Sequence, residues 1–214
     1  MDPDFWHARW HERRIGFHEG RVNRMLAAHL DALALAPGSR IFVPLCGKAV
    51  DIPWLLSRGY RVIGVELSDI AVRDLFDGMG VTPDVSDRGA HACYAADGIE
   101  IFTGDLFELD ADRIGTVDAV YDRAALVALP PEMRARYAAH LAEVSRTAPQ
   151  LVVTFEYDPS AMAGPPFSVS EAELRALYGA RYDITVLEDA DVPGGLKGVV
   201  PAREKAVLLR ATGK

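Results

Sequence analysis

The sequence predicts an α/β fold: a doubly wound, mostly parallel sheet of seven strands with an antiparallel C-terminal strand pair, preceded by N-terminal helices. Three observations predict it. Apolar runs of strand length alternate with amphipathic helical stretches from Arg40 to Asp158, and parallel neighbours need such long crossovers. The central runs "RIFVPL" and "YRVIGVEL" are nearly continuous apolar stretches, as burial on both faces of a sheet demands. Near the end, "YDITVLED" and "EKAVLLRA" follow one another with no helical pattern between them, which makes an antiparallel pair the simplest closure.

Each element has its own signal. Asp2 and Pro3 have the form of an N-cap and first helical residue, and Phe5, Trp6 and Trp10 share one side of a short helix reaching toward Arg14. After "GFHEG", the spacing of Val22, Met25, Leu26, Leu30 and Leu33 predicts a second helix that stops before Pro37-Gly38. The first strand, "RIFVPL", leads into a helix through Leu55 and Leu56, and "YRVIGVEL" into one from Ser68 toward Phe76. "IEIFTG" is the third strand. "VDAVYD" is the fourth, followed by a helix from Pro130 toward Ser145, and "LVVTFEYD" is the fifth. A helix with the capping-box pair Ser170 and Glu173 runs to Tyr178 before the closing pair. The stretch "SDRGAHACYAADG" (86–98) reads as a polar insert before the third strand.

With 214 residues, 50% apolar and 25% charged, the chain suits one domain over 1–214, with 1–36 as a helical cap and 37–214 as the core. Its 23 basic and 31 acidic side chains give a net charge of −8, the wrong sign for a dedicated nucleic-acid backbone binder. The two cysteines, Cys46 and Cys93, lie in stretches of different character, and a core of this size needs no disulfide, which fits a reducing cytosol. "MDPDFWHARWHERR" has no apolar signal core, and no apolar run reaches the roughly 18 residues of a membrane span. The expectation is a soluble, cytoplasmic monomer.

The turn in "IFVPLCGKAVDIPWLL" (41–56) stands where α/β proteins hold nucleotides. Gly47-Lys48 suggests a phosphate loop, but Phe42 and Ala49 occupy the places of its first Gly and its Ser or Thr. A dinucleotide fingerprint also fails, because Gly47 is its only glycine. Cys46 could be a thiol activated at a helix N-terminus, but no partner can be nominated by spacing, and packing is the plainer role. One glycine among bulky neighbours suits a flat or zwitterionic ligand. Glu66, at the end of the second strand, can accept both hydrogen bonds of a ribose diol, or it can simply cap the next helix. Asp105 is placed to reach an adenine edge with Leu106 covering the base; the competing role is an ordinary turn aspartate.

The segments "FWHARWHERRIGFHEG", "FVPLCGKAVDIPWL", "GVELS", "YDRAALVAL" and "YDPSAMAGPPFSVSEAEL" together resemble the thiopurine S-methyltransferase family, a branch of the Rossmann-like S-adenosylmethionine-dependent methyltransferases. The resemblance covers nearly the whole chain. It implies methyl transfer from S-adenosylmethionine, leaving S-adenosylhomocysteine, to the sulfur of aromatic or heterocyclic thiols. It further implies that Trp10, Leu45, Glu66, Asp105, Leu106 and Arg123 contact the cofactor, and that Phe17 lines the acceptor site. Where the family suggests a basic residue before the last strand, this chain reads "DVPGGLKGVV", leaving Lys197 as the substitute.

The implied reaction is an in-line displacement that needs neither a metal nor a covalent enzyme intermediate. His7 and His11 lack the surrounding pattern of zinc ligands and read as surface side chains. Alignment of the reactants is what the protein can supply, worth about 7–11 kcal/mol in favourable cases. Arg123 could stabilise a thiolate but not act as a neutral base; it could instead hold the cofactor carboxylate, or pair with Asp122 or a neighbouring acid. The first helix and "AGPPF" (163–167) are expected to close over the site, with Phe167 as an apolar wall. Alternatives are a selenium, tellurium or other small nucleophile as acceptor, a nicotinamide-dependent oxidoreductase, or a non-catalytic nucleotide-binding module.

Overall fold

The computed structural model describes residues 3–16 and 18–213. It contains one nine-stranded sheet. The strands are β1 (Arg40–Pro44), β2 (Arg61–Glu66), β3 (Asp84–Asp87), β4 (Ala92–Ala96), β5 (Ile99–Thr103), β6 (Ala119–Arg123), β7 (Gln150–Glu156), β8 (Tyr182–Asp191) and β9 (Arg203–Ala211). Their spatial order is β3-β4-β5-β2-β1-β6-β7-β9-β8. The five central strands run parallel, while β9 pairs antiparallel with both β7 and β8. The doubly wound sheet and the antiparallel C-terminal pair are therefore as expected.

The strand count is not. Seven strands were expected, and the two extra ones come from the stretch read as a polar insert (86–98) and the two residues before it. There β3 and β4 form an antiparallel hairpin on the edge of β5. All four residues of β3 are exposed, so no apolar alternation marks it in the sequence.

Side chains alternate across each strand and feed two cores. On one face Phe42, Ile63, Val120 and Val152 pack beneath α6 (Pro131–Val144) and α7 (Glu171–Tyr178). On the other, Ile41, Val43, Tyr121 and Val153 pack with α2 (Arg24–His29), α3 (Asp51–Ser57) and α4 (Asp69–Met79). Gly64 keeps that second layer tight, because a Cβ there would lie 2.7 Å from Ile101 Cδ1 and 3.0 Å from Cys46 Sγ. The N-terminal helix α1 is shorter than its pattern suggests, Pro3–His11, and the expected cap residue Asp2 lies outside the described residues. The second helical stretch is α-helical only to His29; Leu30–Leu33 tighten into a 3-10 turn that ends on left-handed Ala34. A four-residue helix, α5 (Ala111–Ile114), precedes β6. Among the described residues, no helix is long and apolar enough to cross a membrane.

Because β2 and β5 lie on one side of β1 and β6 and β7 on the other, the chain reverses direction of travel between β1 and β6. In open sheets of this kind, ligands bind outside the carboxyl ends of the strands at that reversal.

Candidate active site

The turn after β1 is built around Glu66. Leu45 and Gly47 both have positive φ, 47° and 51°, which bends the chain back over the ends of β1 and β2. The Glu66 carboxylate stabilises the bend by accepting the Gly47 N–H at 2.8 Å on one oxygen and the Ser68 N–H at 2.9 Å on the other. Burial pushes this carboxyl above the ordinary glutamate range, and the N–H bonds from Ser68, Gly47 and Leu67 pull it back. A carboxylate has about four acceptor sites, and these three N–H groups leave about one for a further donor. The helix-capping and ligand-binding roles weighed for Glu66 are thus compatible.

Trp10 closes one side of this turn. It is 2% exposed, and a Cβ on Gly47 would lie only 3.1 Å from its ring. Asp74 of α4 ties the two segments together by binding both Arg13, just past α1, and Lys48 of the turn at 3.1 Å. Lys48 therefore has a carboxylate partner inside the protein. Cys46 is buried, and burial, followed by the Glu66 charge, drives its thiol well above the ordinary range; such a group is a packing residue, not a nucleophile.

Arg123 ends β6 on the same edge. Its guanidinium lies 2.6 Å from Glu19 and its side chain is 13% exposed. Asp122 is not its partner, because adjacent strand residues point to opposite faces. Asp122 accepts the Leu126 N–H at 3.0 Å and the Tyr137 hydroxyl at 2.7 Å within the core, where burial pushes its carboxyl up to about 6. On the Arg123 side, Asp51 accepts the Asn23 N–H at 2.7 Å and the Tyr121 hydroxyl at 3.0 Å. Burial raises the Asp51 carboxyl, opposed by the Asn23 N–H and the Arg123 charge. His18 shares this field: burial, then the Lys48 and Arg123 cations, push its imidazole below the ordinary range. Sequence reasoning missed Glu19, Asp51 and His18, since each reads as an ordinary loop or helix-start residue until the fold brings it to Arg123.

Asp105 and Leu106 follow β5. Asp105 accepts the Phe107 N–H at 2.9 Å, the turn-capping role weighed for it, while its exposed position leaves acceptor capacity. Leu106 is buried. Phe17 lies outside the described residues. Phe167 is half-buried beyond β7; its N–H donates to the Val127 carbonyl at 2.7 Å and its ring packs on Gly164, where a Cβ would come within 2.5 Å of the ring. The Lys197 ammonium donates to the Pro165 carbonyl at 2.7 Å, joining the loop before β9 to the Gly164–Phe167 loop. Burial and the nearby Arg9 charge lower the Lys197 pKa, so two cations share this side of the edge. Among the described residues, no group of His, Cys, Asp and Glu side chains could hold a metal ion.

Comparison with known proteins gives the family and the fold. Residues 1–210 match the thiopurine S-methyltransferase (TPMT) family. A thiopurine S-methyltransferase of Xanthobacter autotrophicus is 58% identical over 210 residues, covering 98% of this chain and 99% of the relative. One from Teredinibacter turnerae is 52% identical, covering 95% of each chain. The crystal structure of Burkholderia thailandensis 1,6-didemethyltoxoflavin-N1-methyltransferase, with its substrate and S-adenosylhomocysteine bound, superposes with a TM-score of 0.68 at 18% identity, covering 98% of this chain and 87% of that one. That likeness is one of fold.

Proposed function

Because the chain belongs to the thiopurine S-methyltransferase family, we propose that it transfers a methyl group from S-adenosylmethionine to the sulfur of aromatic or heterocyclic thiols such as thiopurines. The observation that carries this reading is the convergence of Leu45, Glu66, Asp105 and Arg123 on one edge of the sheet around the β1/β6 reversal. Bound there, S-adenosylmethionine supplies a methyl on a sulfonium, open to in-line displacement by an acceptor sulfur.

The protein's contribution is placement. Glu66 is assigned to the ribose diol, because it ends β2 beside the reversal and its carboxylate, fixed by backbone N–H groups, keeps acceptor capacity for a ligand hydroxyl. Trp10, packed on Gly47, and Leu45 of the same turn supply its apolar surface. Asp105 meets the adenine edge and Leu106 covers the base. Glu19 orients the Arg123 guanidinium before a ligand arrives, so Arg123 can engage the cofactor carboxylate or the acceptor thiolate without a large side-chain search. Arg123 carries positive charge at every working pH and acts by stabilising an anion, never by taking its proton. Phe167 lines the acceptor side, with Lys197 as its basic residue. Residues 1–36 form the cap over a core of 37–214, and the chain works as a monomer in a reducing cytoplasm.

The direct test is incubation with labelled S-adenosylmethionine and an aromatic thiol, reading label on the thiol sulfur. Saturation with S-adenosylhomocysteine at a hundred times its Kd adds about 2.7 kcal/mol, which raises Tm by roughly 5–10 °C for a chain of this size. A shift with NAD and none with S-adenosylhomocysteine would refute the assignment. Deleting residues 1–16 removes Trp10 and the Arg13 tie to Asp74. Transfer should then be lost while circular dichroism retains the sheet; a truncated chain with full activity would refute the role of the cap.

A further inference from the structure

The β3–β4 hairpin brings one buried histidine to the proposed cofactor edge. The register Ala92↔Thr103 places the start of β4 beside the end of β5, and the Arg88 N–H donates to the His91 carbonyl at 2.8 Å to close the hairpin there. His91 is 2% exposed. Its Nε2 lies 2.9 Å from the Asp105 carbonyl oxygen and its Nδ1 3.2 Å from the Arg113 guanidinium. A guanidinium only donates, so Nδ1 accepts, and the ring proton sits on Nε2 and is donated to Asp105. Arg113 is held in turn by Asp110, which accepts its backbone N–H at 2.8 Å.

The Asp105 carbonyl has two lone pairs. The local 3-10 turn uses one, through the Glu108 N–H at 3.1 Å; His91 fills the other from outside the turn. Gly104 makes the approach possible, since a Cβ there would lie 2.7 Å from His91 Cδ2. The imidazole also stands edge-on to Phe102, with 6.1 Å between ring centroids. The ring is therefore fixed in position and in tautomer, and its one proton anchors the residue that precedes Leu106.

We propose that His91 is a positioning residue for the adenosyl end of the cofactor: it holds the Asp105 carbonyl so that Asp105 and Leu106 face the cleft in a set geometry. The inference rests on the assignment of those two residues to the cofactor. It gives the 86–98 segment a task in this chain.

Calorimetric titration with S-adenosylhomocysteine tests it. His91→Phe keeps a ring but loses both hydrogen bonds, and its Kd should rise about tenfold, the worth of one well-placed bond. His91→Gln carries an N–H near the Nε2 position and should stay within about twofold of the parent. Arg113→Leu frees the tautomer and should shift Kd in the same direction as His91→Phe, which keeps the question open to decision if the phenylalanine variant fails to fold. In steady-state kinetics the cofactor KM should rise while kcat at saturating cofactor and the acceptor KM hold. Nitrogen-15 NMR of the ligand-free chain should show His91 as the Nε2–H tautomer. Asp105→Ala separates the two assignments. Unchanged affinity in that variant overturns the cofactor placement and this inference with it. Weakened binding in Asp105→Ala beside parental binding in His91→Phe and Arg113→Leu, or an Nδ1–H tautomer, overturns the inference alone.

Discussion

Glu66 at the end of β2 and Asp122 near the end of β6 occupy comparable places. Each is a buried carboxylate that accepts a backbone N–H from the turn after its own strand, Ser68 for one and Leu126 for the other. Each is pushed upward by burial. They differ in where the second oxygen goes. In Glu66 it crosses to the Gly47 N–H of a neighbouring turn at the edge of the sheet, and the residue is 6% exposed. In Asp122 it takes the Tyr137 hydroxyl inside the α6 layer, at 0% exposure. One carboxylate thus organises two turns at the strand ends, whereas the other is enclosed by the core. Similar hydrogen bonding links two turns in the first case and ties a strand to a core helix in the second, and the strand face decides which.

That contrast can be broken in three places. Glu66→Ala should give the largest effect, raising the S-adenosylhomocysteine Kd by about a hundredfold or more, because it removes the proposed ribose acceptor and leaves the Gly47, Leu67 and Ser68 N–H groups without their partner. Isothermal titration reads this directly, and unchanged affinity would remove the ribose assignment. Asp122 should leave cofactor affinity alone and show itself in stability against pH. Its folded carboxyl is raised to about 6 from 3.8, so its contribution is fully present below pH 3.8 and is lost as pH rises through 6. The cost of ionising it in place is about 3 kcal/mol. The stability of the parent relative to Asp122→Asn should therefore fall by that order between pH 4 and pH 8 in urea titrations, and a flat difference would contradict the burial of an ionisable group. Gly47→Ala should give the smallest effect, roughly 1–2 kcal/mol of stability for a left-handed alanine, with a further weakening of cofactor binding as its methyl presses on Trp10. Parental Tm and Kd together would show that the turn is not as tightly closed as its 3.1 Å approach implies.

Much of this arrangement was legible from sequence, for a physical reason. The parallel strands are mostly apolar and the turns between them fall at strand ends, which places Glu66 and Asp105 on one edge from the sequence alone, while Leu45 and Arg123 reach that edge through the family resemblance. The β3–β4 hairpin was not legible, because β3 is exposed at every position and β4 is short and rich in alanine. Nor were the partners of Arg123. Strand alternation alone excludes Asp122, but Glu19 lies across a loop and a long stretch of chain, and no local spacing announces it. Capping was half legible: Ser170 accepts the Glu173 N–H at 3.1 Å, as the capping box requires, but the Glu173 carboxylate turns to Arg134 at 2.6 Å instead of back to the cap. Pairwise motifs survive into the fold only where a stronger tertiary partner does not compete.

The two outer strands have a consequence for how the molecule behaves in a crowd. The hairpin strand β3 carries Asp84 and Asp87, and at the far edge β8 carries Asp183, Glu188, Asp189 and Asp191. An exposed edge is a template for pairing with another chain, and charge along it is one of the ways that proteins prevent such pairing. On β8, Glu188 pairs with Arg24, and Asp189 and Asp191 with Arg203, so that edge is laced with the chain's own ion pairs, while β3 presents exposed aspartates. A second chain approaching edge-on must desolvate these charged side chains at either border, a cost that works against strand addition at both ends of the sheet.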